Sequence, residues 1–158
     1  MANVNVLSVF RDSDTAKEVF LQANGKAYAT DGGPGRHVFL HWDNSLPVTK
    51  GMFVSQIVQL IGIPGRWTWE SVAHMQDRAD LAQHTQFSLG TFSRAQRDRI
   101  LALAEGIAYD PESVVNTCRV WMRELLEAMV KEGLLAQEKM DEIDGAVPLL
   151  RRRPEVEA

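Results

Sequence analysis

The period of hydrophobicity changes once along this chain, and that change restricts its possible folds more than any other feature. Up to about residue 92 the apolar residues alternate or run in short β-branched blocks; from Ser93 onward they recur at helical spacing. Alternation puts side chains on the two faces of a strand, whereas intervals of three and four gather them on one stripe of a helix. Strands first and helices after specify an α+β chain with a small antiparallel sheet and C-terminal helices. The clearest strand pair is "MFVSQIVQLIGI" (52–63) and "RWTWESV" (66–72), joined as a hairpin by Pro64 and Gly65. "VNVLSVF" (4–10), "RHVFLHW" (36–42) and "TQFSLGTF" (85–92) read as further strands, the last bulged or interrupted at Gly90. "DSDTAKEVFLQAN" (12–24) reads as a short helix, capped by Ser13 or Asp14 and closed by Gly25. "AHMQDRADLAQH" (73–84) fits neither period.

Among the helices, "SRAQRDRILALAEGI" (93–107) takes Ser93 as its N-cap, read without the partner of a capping box. "VVNTCRVWMRELLEAMVKEG" (114–133) places Val114, Cys118, Trp121, Met122, Leu125 and Met129 on one face, with Gly133 as the stop. Its start has two readings. With Asn116 as cap, Cys118 lies in the first turn; with Asp110 as cap and Pro111 following, it lies about two turns in. "LAQEKMDEIDG" (135–145) is a third, shorter helix. The expected organisation is one domain over 1–150 and a solvated tail over 151–158, where "RRR" is followed at once by "PEVEA".

Composition removes several classes of function. A formal net charge of −4 over 158 residues gives no general affinity for nucleic acid. No run approaches the roughly 18 apolar residues needed to span a bilayer, and the first residues do not read as a secretory leader. One cysteine makes no intramolecular disulfide, so a cytoplasmic protein is expected. No phosphate-binding loop, dinucleotide fingerprint or serine-hydrolase motif is present, and no cofactor is expected. His37 and His41 share a strand face about 13 Å apart, too far to bind one metal, so no metal is expected either.

Cys118 and the histidines carry the chemistry. At a helix N-terminus, with an imidazole nearby, a cysteine becomes a nucleophile; on an apolar stripe it is a small core residue, and spacing alone leaves both readings open. His37 opens its strand beside the glycine loop "TDGGPG" (30–35), where a side chain can face a cleft. Trp67 and Trp69 share one strand face, and with Trp42 and His41 they are candidate walls for a ligand.

The strand "RHVFLHW", the hairpin and the late "NTCRVW" opening a helix that ends in "KEGLL" together resemble a small fungal protein family. That family is in turn similar to the circularly permuted papain-like hydrolases, typified by the lecithin:retinol acyltransferase-like proteins. The resemblance implies a permuted papain-like arrangement, with Cys118 as nucleophile, His37 as base and Gln59 (or Gln56) orienting the imidazole. The function it implies is cysteine-dependent acyl transfer, as hydrolase or transferase, on an amide, ester or thioester of a small molecule. Two alternatives stand beside it. One is a protein of specialised metabolism on the same fold that binds a small molecule non-covalently, as carrier or cyclase. The other is a protein-interaction module.

Overall fold

The computed structural model describes residues 10–25, 36–45 and 53–155. Five strands, β1 (Lys17–Ala23), β2 (Val38–Asp43), β3 (Phe53–Ile63), β4 (Arg66–Gln76) and β5 (Thr85–Phe92), form one antiparallel sheet in the order β4-β3-β2-β1-β5. A short α1 (Arg78–Leu81) lies between β4 and β5, and α2 (Arg94–Gly106), α3 (Cys118–Lys131) and α4 (Gln137–Ala146) follow the sheet. The chain is therefore α+β. Most of the strand read over 4–10, and the whole loop 30–35, lie outside the described residues.

Each strand of the sheet has a side turned to the helices. Val19, Leu21 and Ala23 of β1, Val38, Leu40 and Trp42 of β2, and Val58 and Leu60 of β3 form one core with Trp121, Met122, Leu125 and Met129 of α3. α3 lies against β2 and β3 and is flanked by α2 and α4. Its stripe is the one read from spacing, except that Val114 precedes the helix and is exposed.

Three readings need correction. Residues 12–24 do not make a helix: Val19, Leu21 and Ala23 alternate with Glu18, Phe20 and Gln22, and the core takes the first set. Ser13 caps nothing, its hydroxyl instead pairing with that of Thr15 at 2.7 Å. Ser93 does belong to a capping box, because Gln96, three residues on, returns its side-chain oxygen to the Ser93 N–H at 2.8 Å. The start of α3 is capped by Thr117, neither Asn116 nor Asp110. Asn116 holds the tail, donating to the Arg153 carbonyl at 2.8 Å and accepting from the Arg153 N–H at 3.0 Å. Residues 151–155 are exposed, as a solvated tail would be, but Arg152 pairs with Glu124, so residues 152 and 153 are held against the body.

Two glycines are dictated by geometry. Gly62 has φ +141°, and a Cβ there would stand 1.9 Å from the Arg66 carbonyl oxygen, so no other residue fits the neck of the β3–β4 hairpin. Gly90, at φ +116°, sits in the bulge where the β1–β5 register shifts between Val19 and Phe20.

The N-terminal stretch is tied to the fold most heavily through one carboxylate, with Asn44 and Arg94 also donating to the Phe10 and Asp12 carbonyls. Arg97 of α2 is wholly buried and donates to both Asp12 oxygens, at 2.9 and 3.0 Å, and to the carbonyls of Phe92 and Ser13. Lys17 and the Trp42 indole N–H donate to the same carboxylate. Burial alone raises the Asp12 pKa, but hydrogen bonds and charge from Arg97 and Lys17 outweigh it and hold the carboxyl below its ordinary value. Arg97→Ala removes the main partner of a largely buried carboxylate and leaves two carbonyls unpaired. The expected loss in urea unfolding is about 3–5 kcal/mol.

Candidate functional site

The pleat of β2 separates the candidate residues onto opposite faces of the sheet. Val38, Leu40 and Trp42 point to the helices, whereas the His37 and Phe39 rings lie 5.6 Å apart, and those of Phe39 and His41 5.8 Å apart, on the other side. Cys118 belongs to the helix side.

Cys118 is the first residue of α3 and is 5% exposed. Burial pushes its thiol pKa up, while the backbone of Val38, the Arg119 charge and the amides of Arg119 and Cys118 pull the other way without overcoming it. The thiol thus lies beside the peptide that joins His37 to Val38, but among the described residues no hydrogen bond connects it to the His37 ring. It lines a cavity of about 470 Å³ together with Trp67, Val115, Thr117, Leu150 and Arg153. Trp67 is a core residue at this cavity's edge, its indole N–H donating to the Ser113 carbonyl at 2.9 Å. Trp42 is wholly buried between sheet and helices, and Trp69 packs half-buried against the same core. The three tryptophans therefore form no common ligand wall.

On the far face His37 and Gln59 do meet. Gln59 Oε1 lies 2.8 Å from His37 Nε2, and Gln59 Nε2 donates to the Glu70 carboxylate at 2.5 Å. Because Glu70 accepts only, it fixes the Gln59 amide, whose oxygen requires an N–H at His37 Nε2 and leaves Nδ1 the acceptor. Gln56, the alternative to Gln59, is on the helix side and bonds Asn44 and Ser71.

His41 repeats the arrangement one strand pair away. Gln86 Oε1 lies 2.8 Å from His41 Nε2, and Gln86 Nε2 donates to Gln22 Oε1 at 2.8 Å and to the Leu81 carbonyl at 3.4 Å. With its amide nitrogen so engaged, Gln86 offers only its oxygen to His41, so His41 carries its proton on Nε2. His41 Nδ1 is then a bare lone pair, buried and with no partner among the described residues. Leaving such an acceptor unmet costs about 1–3 kcal/mol. Phe20 stacks on the His41 ring at 5.4 Å and 19°.

A strap formed by residues 77–84 covers this face on its way from the β4 edge to the β5 edge. The Arg78 guanidinium lies over the Phe53 ring, 5.0 Å from its centre, and the His84 Nδ1 accepts from the Gly25 N–H at 2.8 Å. Two cavities border the strap. One, of about 430 Å³, is lined by Phe20, His41, Phe53, Arg78, Leu81 and Gln86; the other, of about 390 Å³, by Gln22, Phe39, Ile57, Gln59, His74 and His84. Glu70, Gln22 and Gln86 went unread in the sequence. Their signal was there, as polar residues inside strands at the period of the histidine-bearing face.

No group of three or more histidine, cysteine or carboxylate side chains able to hold a metal occurs among the described residues. No helix among them is long and apolar enough to cross a membrane. No family model matches the chain, and no curated protein or solved structure was found to be similar to it.

Burial pushes the pKa values of both His37 and His41 below the ordinary 6.5, against the opposing pull of Gln59 and Gln86. The folded chain therefore takes up protons less readily than the unfolded chain, and stability is full above pH 6.5 and lost as pH falls below it. Asp12 acts only in a more acid window, below its ordinary 3.8. The urea midpoint is expected to drop between pH 7.5 and pH 5, and a His37→Gln/His41→Gln variant to flatten that dependence.

Proposed function

We propose that this chain binds a small molecule non-covalently on the strap-covered face of the sheet, as a carrier or as a catalyst that works by positioning. The observation carrying this reading is the pair of imidazoles, His41 buried and His37 half-buried, each held in one tautomer by a glutamine. His41 and Gln59 line cavities of about 430 and 390 Å³, which fall within the ordinary range for small-ligand sites. A neutral imidazole with a fixed tautomer orients a ligand O–H or N–H, and can take its proton if the ligand is acidic enough.

Fragment screening by protein NMR tests this. Bound fragments should perturb Phe20, His41 and Leu81, survive Cys118→Ala, and be lost in Leu81→Trp, which fills the larger cavity. A ligand at 100 times its Kd should add about 2.7 kcal/mol of stability. Fragments that gather only around Cys118 and Trp67 would sink the proposal.

A second reading, cysteine-dependent acyl transfer of the permuted papain-like kind, is favoured by one observation. Cys118 opens α3 with backbone amides around its sulfur, next to the peptide of His37. In that reading His37 leaves Gln59, its ring swings to the helix face and takes the Cys118 proton, and the thiolate attacks an amide or (thio)ester carbonyl, expelling the amine, alcohol or thiol, which takes the proton from His37. Iodoacetamide alkylation of the folded protein decides it. Reaction well below a thiol pKa of ~8.5, abolished by His37→Ala, would support an activated pair; reaction only on denaturation would make Cys118 a core residue.

A further inference from the structure

We propose that residues 150–155 are a detachable wall of the cavity beside Cys118, a latch whose release, without unfolding of the body, admits apolar molecules to that cavity. The latch lies on the helix side of the sheet, away from the binding face proposed above, and stands whether or not that face takes a ligand.

The latch is held by polar contacts at its surface. Leu149 is the last buried side chain before it; Leu150 is half-buried, and 151–155 are all exposed. Arg152 donates to both Glu124 oxygens at 2.9 Å and to the Ala108 carbonyl at 2.7 Å. Asn116 engages the Arg153 peptide, and Ser113 Oγ and Asn116 Nδ2 donate to one Glu155 oxygen at 2.6 and 2.9 Å. Pro154 biases Arg153 towards extended backbone and has no N–H of its own to satisfy. Hydrogen bonds and an ion pair at the surface exchange for water at little net cost, whereas buried apolar side chains do not. The latch therefore opens more readily than the core beneath it.

What it covers is apolar. The cavity of about 470 Å³ is lined by Leu150 and Arg153 of the latch, by Ile63 and Pro64 of the β3–β4 hairpin, and by Trp67 and Cys118. The hairpin wall is fixed by backbone: the Gly65 N–H donates to the Ser113 carbonyl and the Trp67 N–H to the Pro111 carbonyl, each at 2.8 Å. Ser113 joins the two walls and keeps its place without the latch. Its carbonyl also accepts from the Trp67 indole, and its hydroxyl accepts from the Asn116 N–H at 2.9 Å. Loss of Glu155 thus frees one wall and leaves the other standing, and the Cys118 thiol, 5% exposed, reports the opening.

The rate at which Cys118 reacts with dithiobis(nitrobenzoic acid), a bulky thiol reagent, tests this in the whole chain and in Arg152→Ala/Glu155→Ala. The variant should react roughly tenfold faster or more, with its urea midpoint close to that of the unsubstituted chain. A synthetic peptide of residues 150–155, added in excess, should refill the seat and slow the variant again. Equal rates in the two chains, or a thiol that reacts in both only once urea unfolds them, would overturn the latch. Faster reaction that the peptide does not slow would place the change in the body and overturn it as well. If the variant does not fold, hydrogen exchange in the unsubstituted chain decides. The Arg153 N–H should exchange far faster than the amides of α3, and protection equal to theirs would overturn the proposal.

Discussion

The Asp12 carboxylate is the point at which three parts of the fold are held in register. Arg97 comes from α2, Trp42 from the middle strand of the sheet, Lys17 from the start of β1, and all of them donate to it. A guanidinium with no exposed surface is tolerated only when its donors are met, and Arg97 spends them on Asp12, Ser13 and Phe92. That anchoring sets how α2 meets the end of β5, and α2 in turn packs beside α3. The apolar core fills the frame, but the ion pair specifies its corner.

A sheet covered by helices on one face commonly leaves the other to water. Here the second face is covered as well, by a strap of eight residues, too thin to supply an apolar layer. The sequence meets the difference with glutamines. Gln86 bonds Gln22, His41 and the strap's own carbonyl at Leu81, and Gln59 bonds His37 and Glu70, so the polar layer is nearly closed. The helix face holds shape; the strap face holds directed hydrogen bonds.

Much of the architecture was legible from period alone. β2, the β3–β4 hairpin, β5 with its glycine bulge, and the three C-terminal helices all follow from where apolar residues recur. The stretch 12–24 was misread because Ser13, Asp14 and Gly25 imitate helix punctuation, and only pairing with β2 and β5 decides for a strand. The His37–Gln59 contact was not read from strand register: Gln59 entered only through the resemblance, with Gln56 beside it, and the hydrogen bond at 2.8 Å is what separates the two. The relation between Cys118 and His37 was not legible either. Chain order says nothing of which sheet face a side chain takes, and a single step of the pleat puts the His37 ring on the face away from α3.

The clamp at Asn116 has a further consequence. Its amide engages both the N–H and the C=O of Arg153, the two groups a neighbouring β-strand would use. A side chain is thus standing in for a length of backbone, and it recognises a peptide unit without reading what that unit carries. The two positions are therefore under unequal constraint. Aspartate at 116 would lose the donor and glutamine would overshoot, whereas residue 153 can drift in identity so long as it keeps a peptide N–H. Variation should run freely at position 153 and stop at the asparagine.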